Sequence, residues 1–554
     1  MNDLEKLRNF RDQLLKAEVA AWLHDVGKFS NKFIESHSIT ESRTWDHELV
    51  LKRNTRELER ILGHELSDEK SDHIELVGKI LQTNIPENDN NRAFPNPNKA
   101  GFITKLETYL SHLKNKGLIQ KNVDTNLVKI KYSKYFSEKS IDRYFFPIGF
   151  YNFAESFNFT FQDQNACIAD FIEQHGSPIE AKTDLVRLFK PPFCDGIDSA
   201  LDKGKVESNS KQGQETFISN AFGFEFEKIM DLDEARTQFA NSRNILMGDR
   251  QSRKRELAQS FSHALGETRR PSNDVTLWDH SYSTGVLYRT LLAYVLLNDL
   301  RLSSLIENKQ EPWRLLDIRT DYLKYLSLVS NIPDLMARKE LLDGAFNRIQ
   351  MLLEERYPLA LEVYRDENRI AFVVPNVENL LDSTDNGEKL SELILCNFDN
   401  DEEEINTTSK IGGEIIPMVG PISESWDGME KHPPLGRMLS RDIIHLSNFI
   451  EIFNTWKPLS TSANEASFKS IEQICSVCGL RPQGYGAHDR LEHYRRKTLK
   501  KECLRDCQTC KAIKRGVCSV CEQRRDDRSM RWAREKLSTT IWIDEIADAN
   551  GRLA

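Results

Sequence analysis

The stretch AEVAAWLHDVGKFSNKF (17–33) carries an apolar, helix-forming run that ends in His24-Asp25 and is cut off by Gly27. Two good metal donors side by side at the end of a hydrophobic helix fit a metal site. Chance alone supplies about one His-Asp dipeptide in a chain of this composition. A second pair, His488-Asp489, does stand in a polar stretch with no such helix before it. The first pair therefore gains meaning only from supporting ligands elsewhere.

Two further stretches offer them. NACIADFIEQH (165–175) puts Asp170 inside an apolar helix, where a carboxylate is costly unless it is paired, capping or bound to metal. VTLWDHSYSTGVLY (275–288) puts His280 at the head of a long helix whose apolar residues, running to position 300, predict near-complete burial. A His, a His-Asp pair and a helical Asp are the donor types that hold one or two divalent ions and activate water. Plainer readings exist for each. His24 suits the negative end of a helix dipole, Asp170 a cap or ion pair, and Asp279 the N-cap of the helix bearing His280.

The pattern changes at Trp313. WRLLDIRTDYL (313–323) predicts a buried strand, and IPDLMARKELLDGAFNRIQMLLEERY (332–357) a long helix. LALEVYRDENRIAFVVP (359–375) predicts two strands joined by a turn at Asp366-Glu367-Asn368. Strand, helix and hairpin begin a ferredoxin-like or palm fold. Carboxylates stand at the end of the first strand, Asp317 and Asp321, and in the hairpin turn, Asp366 and Glu367. The turn YRDEN lacks the glycines that admit a phosphate, so solvated turn and strand-end carboxylates are the simpler account. The acidic run FDNDEEEIN (398–406) is expected to be a solvated loop.

Seven of the ten cysteines lie between 475 and 521. ICSVCGLRPQGYG (474–486) and GVCSVCEQRRDDRS (516–529) repeat one CSVC knuckle. Two such knuckles complete a tetrahedral four-thiolate zinc site at Cys475, Cys478, Cys518 and Cys521. The insert CLRDCQTC (503–510) adds Cys503, Cys507 and Cys510, either as free thiols or as a second zinc site with His488 or His493. Cys167 and Cys396, in apolar surroundings, are expected to be buried core thiols.

Together these segments resemble the motif set of HD phosphohydrolases, with the His-led helix last rather than first. That order resembles the circularly permuted HD domain in the large subunit of type III CRISPR effector complexes. The wording CxxCGLRPQ…CxxCEQRR resembles a type III-B-like variant group of those subunits. The resemblance implies metal ligands at His24, Asp25, Asp170 and His280, with His37, His47 and His64 as further candidates. It implies cleavage of single-stranded DNA with Mn2+, Ni2+ or Mg2+, and structural Zn2+ in the cysteine module. Its implied partners are guide RNA, target RNA and the smaller effector subunits, and its setting is antiviral defence. Asp317 and Asp366 would belong to a degenerate first palm. STTIWIDEIADANGRLA (538–554) would open a second palm, so synthesis of cyclic oligoadenylates is not expected from this chain alone. A free-standing HD nucleotide phosphohydrolase and a non-catalytic scaffold are the competing readings.

The expected fold class is multidomain α+β. A mostly helical permuted HD domain covers 1–310, a degenerate palm 311–460, a zinc module 461–535, and an incomplete second palm 536–554. A length of 554 residues suits three or four domains. The charged N-terminus has no signal-peptide core, and no segment has the uninterrupted apolar length to cross a bilayer, so a cytoplasmic protein without membrane contact is expected. The net charge of −9 argues against a surface uniformly coated for nucleic acid. Between 481 and 531, however, fifteen Lys/Arg stand against seven Asp/Glu, the charge balance of a local basic patch.

Overall fold

The computed structural model describes residues 3–29, 150–176, 180–203, 232–264, 275–307, 310–399, 411–423 and 473–525, with a few shorter pieces between them. His37, His47, His64, most of the acidic run and the segment 536–554 lie outside the described residues.

The architecture mixes helix with antiparallel sheet. Helix α1 (Arg11–Leu23) is buried almost all round in its second half, from Ala17 to Leu23. A helix with no polar face belongs in a core. A short hairpin leads into α2 (Ile168–Gln174), followed by α3 (Cys194–Lys203) and α4 (Arg250–Phe261). Helix α5 (Leu277–Leu297) starts at Thr276, whose hydroxyl and Asp279 form a reciprocal capping box. The N-cap is thus Thr276, and Asp279 sits three residues on.

From Thr284 to Leu297 every residue of α5 is buried. Helix α1 lies along one of its sides and the sheet along another. Each Leu or Val so buried contributes about 1.5–3 kcal/mol. The two helices approach closely because of Gly285, where an added Cβ would stand 2.8 Å from the Trp22 indole.

The sheet follows. Strand β1 (Trp313–Arg319) leads to α6 (Ile332–Met351), which continues into a π-helical turn, Leu352–Arg356. Strands β2 (Leu361–Arg365) and β3 (Arg369–Pro375) form the hairpin, then come α7 (Leu390–Asp399) and β4 (Met418–Ile422). The order across the sheet is β4-β1-β3-β2, every pair antiparallel. Helices and sheet share one continuous hydrophobic core running from Leu4 to Trp426. Trp313 Nε1 donates to the Leu287 carbonyl at 3.0 Å and Tyr282 Oη to that of Glu362 at 2.8 Å. Residue 310 marks a change of element type and no break in packing.

A buried ion network reinforces this junction. Arg250 on α4 donates to both oxygens of Glu18 on α1, at 2.6 and 2.8 Å, and to Glu354 in the π-turn at 3.1 Å. Arg289 on α5 reaches Glu18 at 3.1 Å. Removing one member of such a buried set costs about 3–5 kcal/mol, because a charge is left uncompensated.

The cysteine module carries α8 (Arg490–Thr498), α9 (Gln508–Lys514) and α10 (Ser519–Arg525) around a second, small core. It is fastened to α6 through Arg525–Asp334 at 2.7 Å and Arg338 donating to the Val477 carbonyl at 2.7 Å. Among the described residues no helix is long and apolar enough to cross a membrane.

Candidate metal centre

Four elements deliver side chains to one buried point. His24 ends α1, and Asp25 follows it into a short 3-10 turn. His175 ends α2, Asp195 and Asp198 lie in the first turns of α3, and His280 lies in the first turn of α5. All six are buried. Asp25 is the hub: its Oδ2 stands 3.2 Å from His24 Nε2 and 3.1 Å from His280 Nε2, and its Oδ1 stands 3.2 Å from His175 Nε2. Asp195 Oδ1 is 3.3 Å from His280 Nε2 and 3.7 Å from His24 Nε2.

The histidines are held from behind. Nδ1 of His24 donates to the Ala21 carbonyl at 2.7 Å, and Nδ1 of His175 to that of Phe171 at 2.8 Å. Nδ1 of His280 donates to Asp198 Oδ2 at 2.6 Å. A carbonyl or carboxylate oxygen can only accept, so each Nδ1 carries a proton and each Nε2 is left facing the centre. This outer shell of acceptors is the arrangement that orients imidazole for a metal ion. The Nε2 atoms of His24 and His280 are buried and make no hydrogen bond of acceptable geometry. Two overlapping triplets result, His24-Asp25-His175 and His24-Asp195-His280, with donor atoms in each within 4.8 Å of one another. Mixed imidazole and carboxylate donors of this kind fit one or two divalent transition ions.

Electrostatics agree with that fit. Burial works against a charged His280, yet the adjacent carboxylates of Asp195, Asp198 and Asp25 hold its pKa well above the ordinary value. His24 moves the same way: burial opposes the charge, and Asp25 and Asp195 outweigh it. Burial alone would raise Asp195, but His24 and His280 hold it well below the usual carboxylate range. A cation bound between these rings and carboxylates would take over that charge balance. Lys28 Nζ, 2.5 Å from Asp25 Oδ2, adds a positive charge at the edge.

Of the residues expected from sequence, His24, Asp25 and His280 come together and Asp170 does not. Its Oδ2 accepts the backbone N–H and the thiol of Cys167 at 2.9 and 3.1 Å, and its Oδ1 accepts from Gln174 at 2.9 Å. Asp170 is the N3 partner of a capping box at the start of α2. That role explains why an apolar helix tolerates it. His175, at the other end of the same helix, takes the place in the cluster. It already stands in NACIADFIEQH and closes an apolar helix as His24 does, which is the signal sequence reading passed over. Asp195 and Asp198 stand in CDGID, two carboxylates at i and i+3 on one helical face.

Among the described residues, the carboxylates of the sheet are not gathered into a donor set. Asp317 is buried in β1 and paired with the Arg319 guanidinium, and burial chiefly raises its pKa. Asp366 is consumed by the hairpin turn: Oδ1 accepts the N–H of Asn368 and Arg369 at 2.7 and 2.9 Å, and Oδ2 the Tyr364 hydroxyl at 3.0 Å. Asp321 caps the short helix Tyr322–Ser327 and Glu367 is exposed. Arginine neutralises Asp317, and backbone donors satisfy Asp366, where a palm with bound triphosphate would place cations.

The two CSVC knuckles converge as their spacing predicts. Sγ atoms of Cys475, Cys478, Cys518 and Cys521 lie within 4.8 Å of one another, all four residues buried. Backbone N–H groups of Val477, Arg481 and Cys521 point at the sulfurs of Cys475, Cys478 and Cys518 at 3.4–3.5 Å. Gly479, at φ +67°, closes the first knuckle. Such a four-sulfur set is able to hold a metal with no open position. A second set, His493 with Cys503, Cys507 and Cys510, also meets within 4.8 Å. Cys396 is exposed and Cys167 half-buried, against the expectation of core thiols; Cys194 is the buried one of the remaining three.

Comparison of the chain with protein-family models and with curated proteins finds no match.

Proposed function

We propose that this chain is the HD, palm and zinc-module part of a type III CRISPR large subunit, cleaving single-stranded DNA by metal-assisted hydrolysis. The observation that carries this reading is the convergence of three imidazole Nε2 atoms on Asp25 and Asp195 from four separate elements. A buried cluster with every Nδ1 already satisfied has the chemistry of a metal centre. The β-α-β-β-α-β connectivity with strand order β4-β1-β3-β2 supports the palm reading. The paired knuckles support a structural Zn2+ at Cys475, Cys478, Cys518 and Cys521.

In this reading His24, Asp25, His175, Asp195 and His280 hold the catalytic cation, Mn2+, Ni2+ or Mg2+. When bound, it supplies Lewis-acid activation of water and of the phosphodiester. The chain's own part is to orient and to balance charge. Asp198 and the carbonyls of Ala21 and Phe171 fix the three rings. Lys28, paired with Asp25, adds a positive charge beside the site. Guide RNA, target RNA and smaller effector subunits are the partners this reading brings.

Purified protein is incubated with labelled single-stranded DNA and Mn2+ or Ni2+, beside a His24→Ala/Asp25→Ala double variant. Strand cleavage by the wild type alone supports the reading. Hydrolysis of free nucleotides without strand cleavage would favour a free-standing phosphohydrolase. No hydrolysis by a protein shown to bind the metal would sink the nuclease assignment.

A further inference from the structure

We propose that His493, Cys503, Cys507 and Cys510 form a second zinc site, which folds the insertion between the two knuckles and is more labile than the four-cysteine site. The geometry begins at one atom. Nδ1 of His493 stands 3.2 Å from Cys503 Sγ, 3.6 Å from Cys507 Sγ and 3.3 Å from Cys510 Sγ. A single N–H can serve one sulfur and not three. Tetrahedral zinc, with Zn–N near 2.0 Å and Zn–S near 2.3 Å, sets each N···S edge at about 3.5 Å. The observed spread brackets that value.

The surrounding backbone is built for the same end. The Cys510 N–H points at Cys507 Sγ at 3.4 Å, as the knuckle N–H groups do in the four-cysteine set. Asp489 fixes the start of α9 by accepting from the N–H of Gln508 and Thr509 and from the Thr509 hydroxyl, at 2.6–3.0 Å. His493, one turn into α8, is thereby held against Cys507 and Cys510 at the head of α9. His488, the other candidate from sequence, is exposed and outside the set.

Three thiolates and one imidazole are a closed, soft donor set that selects zinc over harder ions. All four ligands lie within the insertion, whereas the four-cysteine site takes a pair from either side of it. The two sites are therefore independent in sequence and differ in cover. Cys475, Cys478, Cys518 and Cys521 are all buried, while Cys503 and Cys510 are half-exposed. Chelators and alkylating reagents reach the second site first. Around it, Arg495, Lys497, Lys500, Lys501 and Arg505 are exposed, so trypsin reports whether the insertion is folded.

The test uses the full chain, reduced and zinc-loaded, under a pulse of iodoacetamide with mass spectrometry of each cysteine. Protection of Cys503, Cys507 and Cys510, lost after mild chelation while the four knuckle cysteines stay protected, is the expected result. Zinc content falls by one ion per chain in Cys503→Ser/Cys510→Ser and is unchanged in His488→Ala. The same double variant is cut by trypsin at least tenfold faster between 495 and 505. Rapid alkylation of the three thiols with zinc present would overturn the proposal, as would an unchanged zinc content in the double variant. The alkylation experiment needs no variant to fold.

Discussion

His280 and Asp198 lie 2.6 Å apart, Nδ1 to Oδ2, and both are buried. The carboxylate fixes the tautomer of the ring and turns Nε2 toward Asp25 and Asp195. Partners of this kind typically matter 10–100-fold in metal affinity. Asp198→Ala is expected to weaken Mn2+ binding by about that factor with the fold intact, measured by calorimetry beside circular dichroism. An unchanged affinity would mean that packing alone orients the ring.

Asp170 and His175 occupy opposite ends of α2, and their variants separate two roles. Asp170→Ala removes a capping partner and should cost about 1 kcal/mol of stability, leaving metal binding in place. His175→Ala should abolish or strongly weaken metal binding with a smaller effect on chemical denaturation. Loss of metal in Asp170→Ala at full folding would restore Asp170 to the ligand set.

Gly285 sets the separation of α1 and α5, and thereby of His24 and His280. A methyl group there meets Trp22 at 2.8 Å. Overpacking of this kind costs about 1–3 kcal/mol. Gly285→Ala should lower the midpoint of denaturation and also weaken metal binding, since the two rings are carried on the helices that part. A stability loss with metal affinity untouched would show that the indole, and not the helix, gives way.

Glu354 links stability to pH. Burial alone would raise its pKa, but Arg250, Lys254 and Arg289 outweigh that and hold it below the ordinary value. A depressed folded-state pKa means stabilisation that is fully present above the unfolded glutamate value of about 4.3 and fades as pH falls through the folded one. Glu354→Gln is expected to lose about 3 kcal/mol at neutral pH. Its urea midpoint should also fall less steeply than the wild type's on acidification below about pH 5. Parallel curves would show that Glu354 keeps its charge, or its proton, through unfolding.

Much of this chain could be read from local pattern. The strand at Trp313, the long helix after it and the hairpin around Asp366 follow from apolar periodicity and turn chemistry, and they stand where expected. The knuckles followed from a short chelate spacing that needs no tertiary information. Asp170 shows where such reading stops. A carboxylate in an apolar helix signals a buried need, and sequence cannot say whether a backbone N–H or a cation meets it.

The His24-Asp25 pair and each CSVC knuckle were determined by sequence itself, because within each the donors are neighbours along the chain; the meeting of the two knuckles across the insertion is tertiary. The rest of the centre belongs to tertiary structure. His175, Asp195 and His280 lie between about 150 and 255 residues from Asp25 in the chain, and only the packing of α1, α2, α3 and α5 brings their donor atoms within 4 Å of its neighbourhood. His493, buried within α8, and His488, exposed in the turn before that helix, are likewise told apart only by the fold. Coordination depends on distances between side chains, and distances across a core are set by what packs against what.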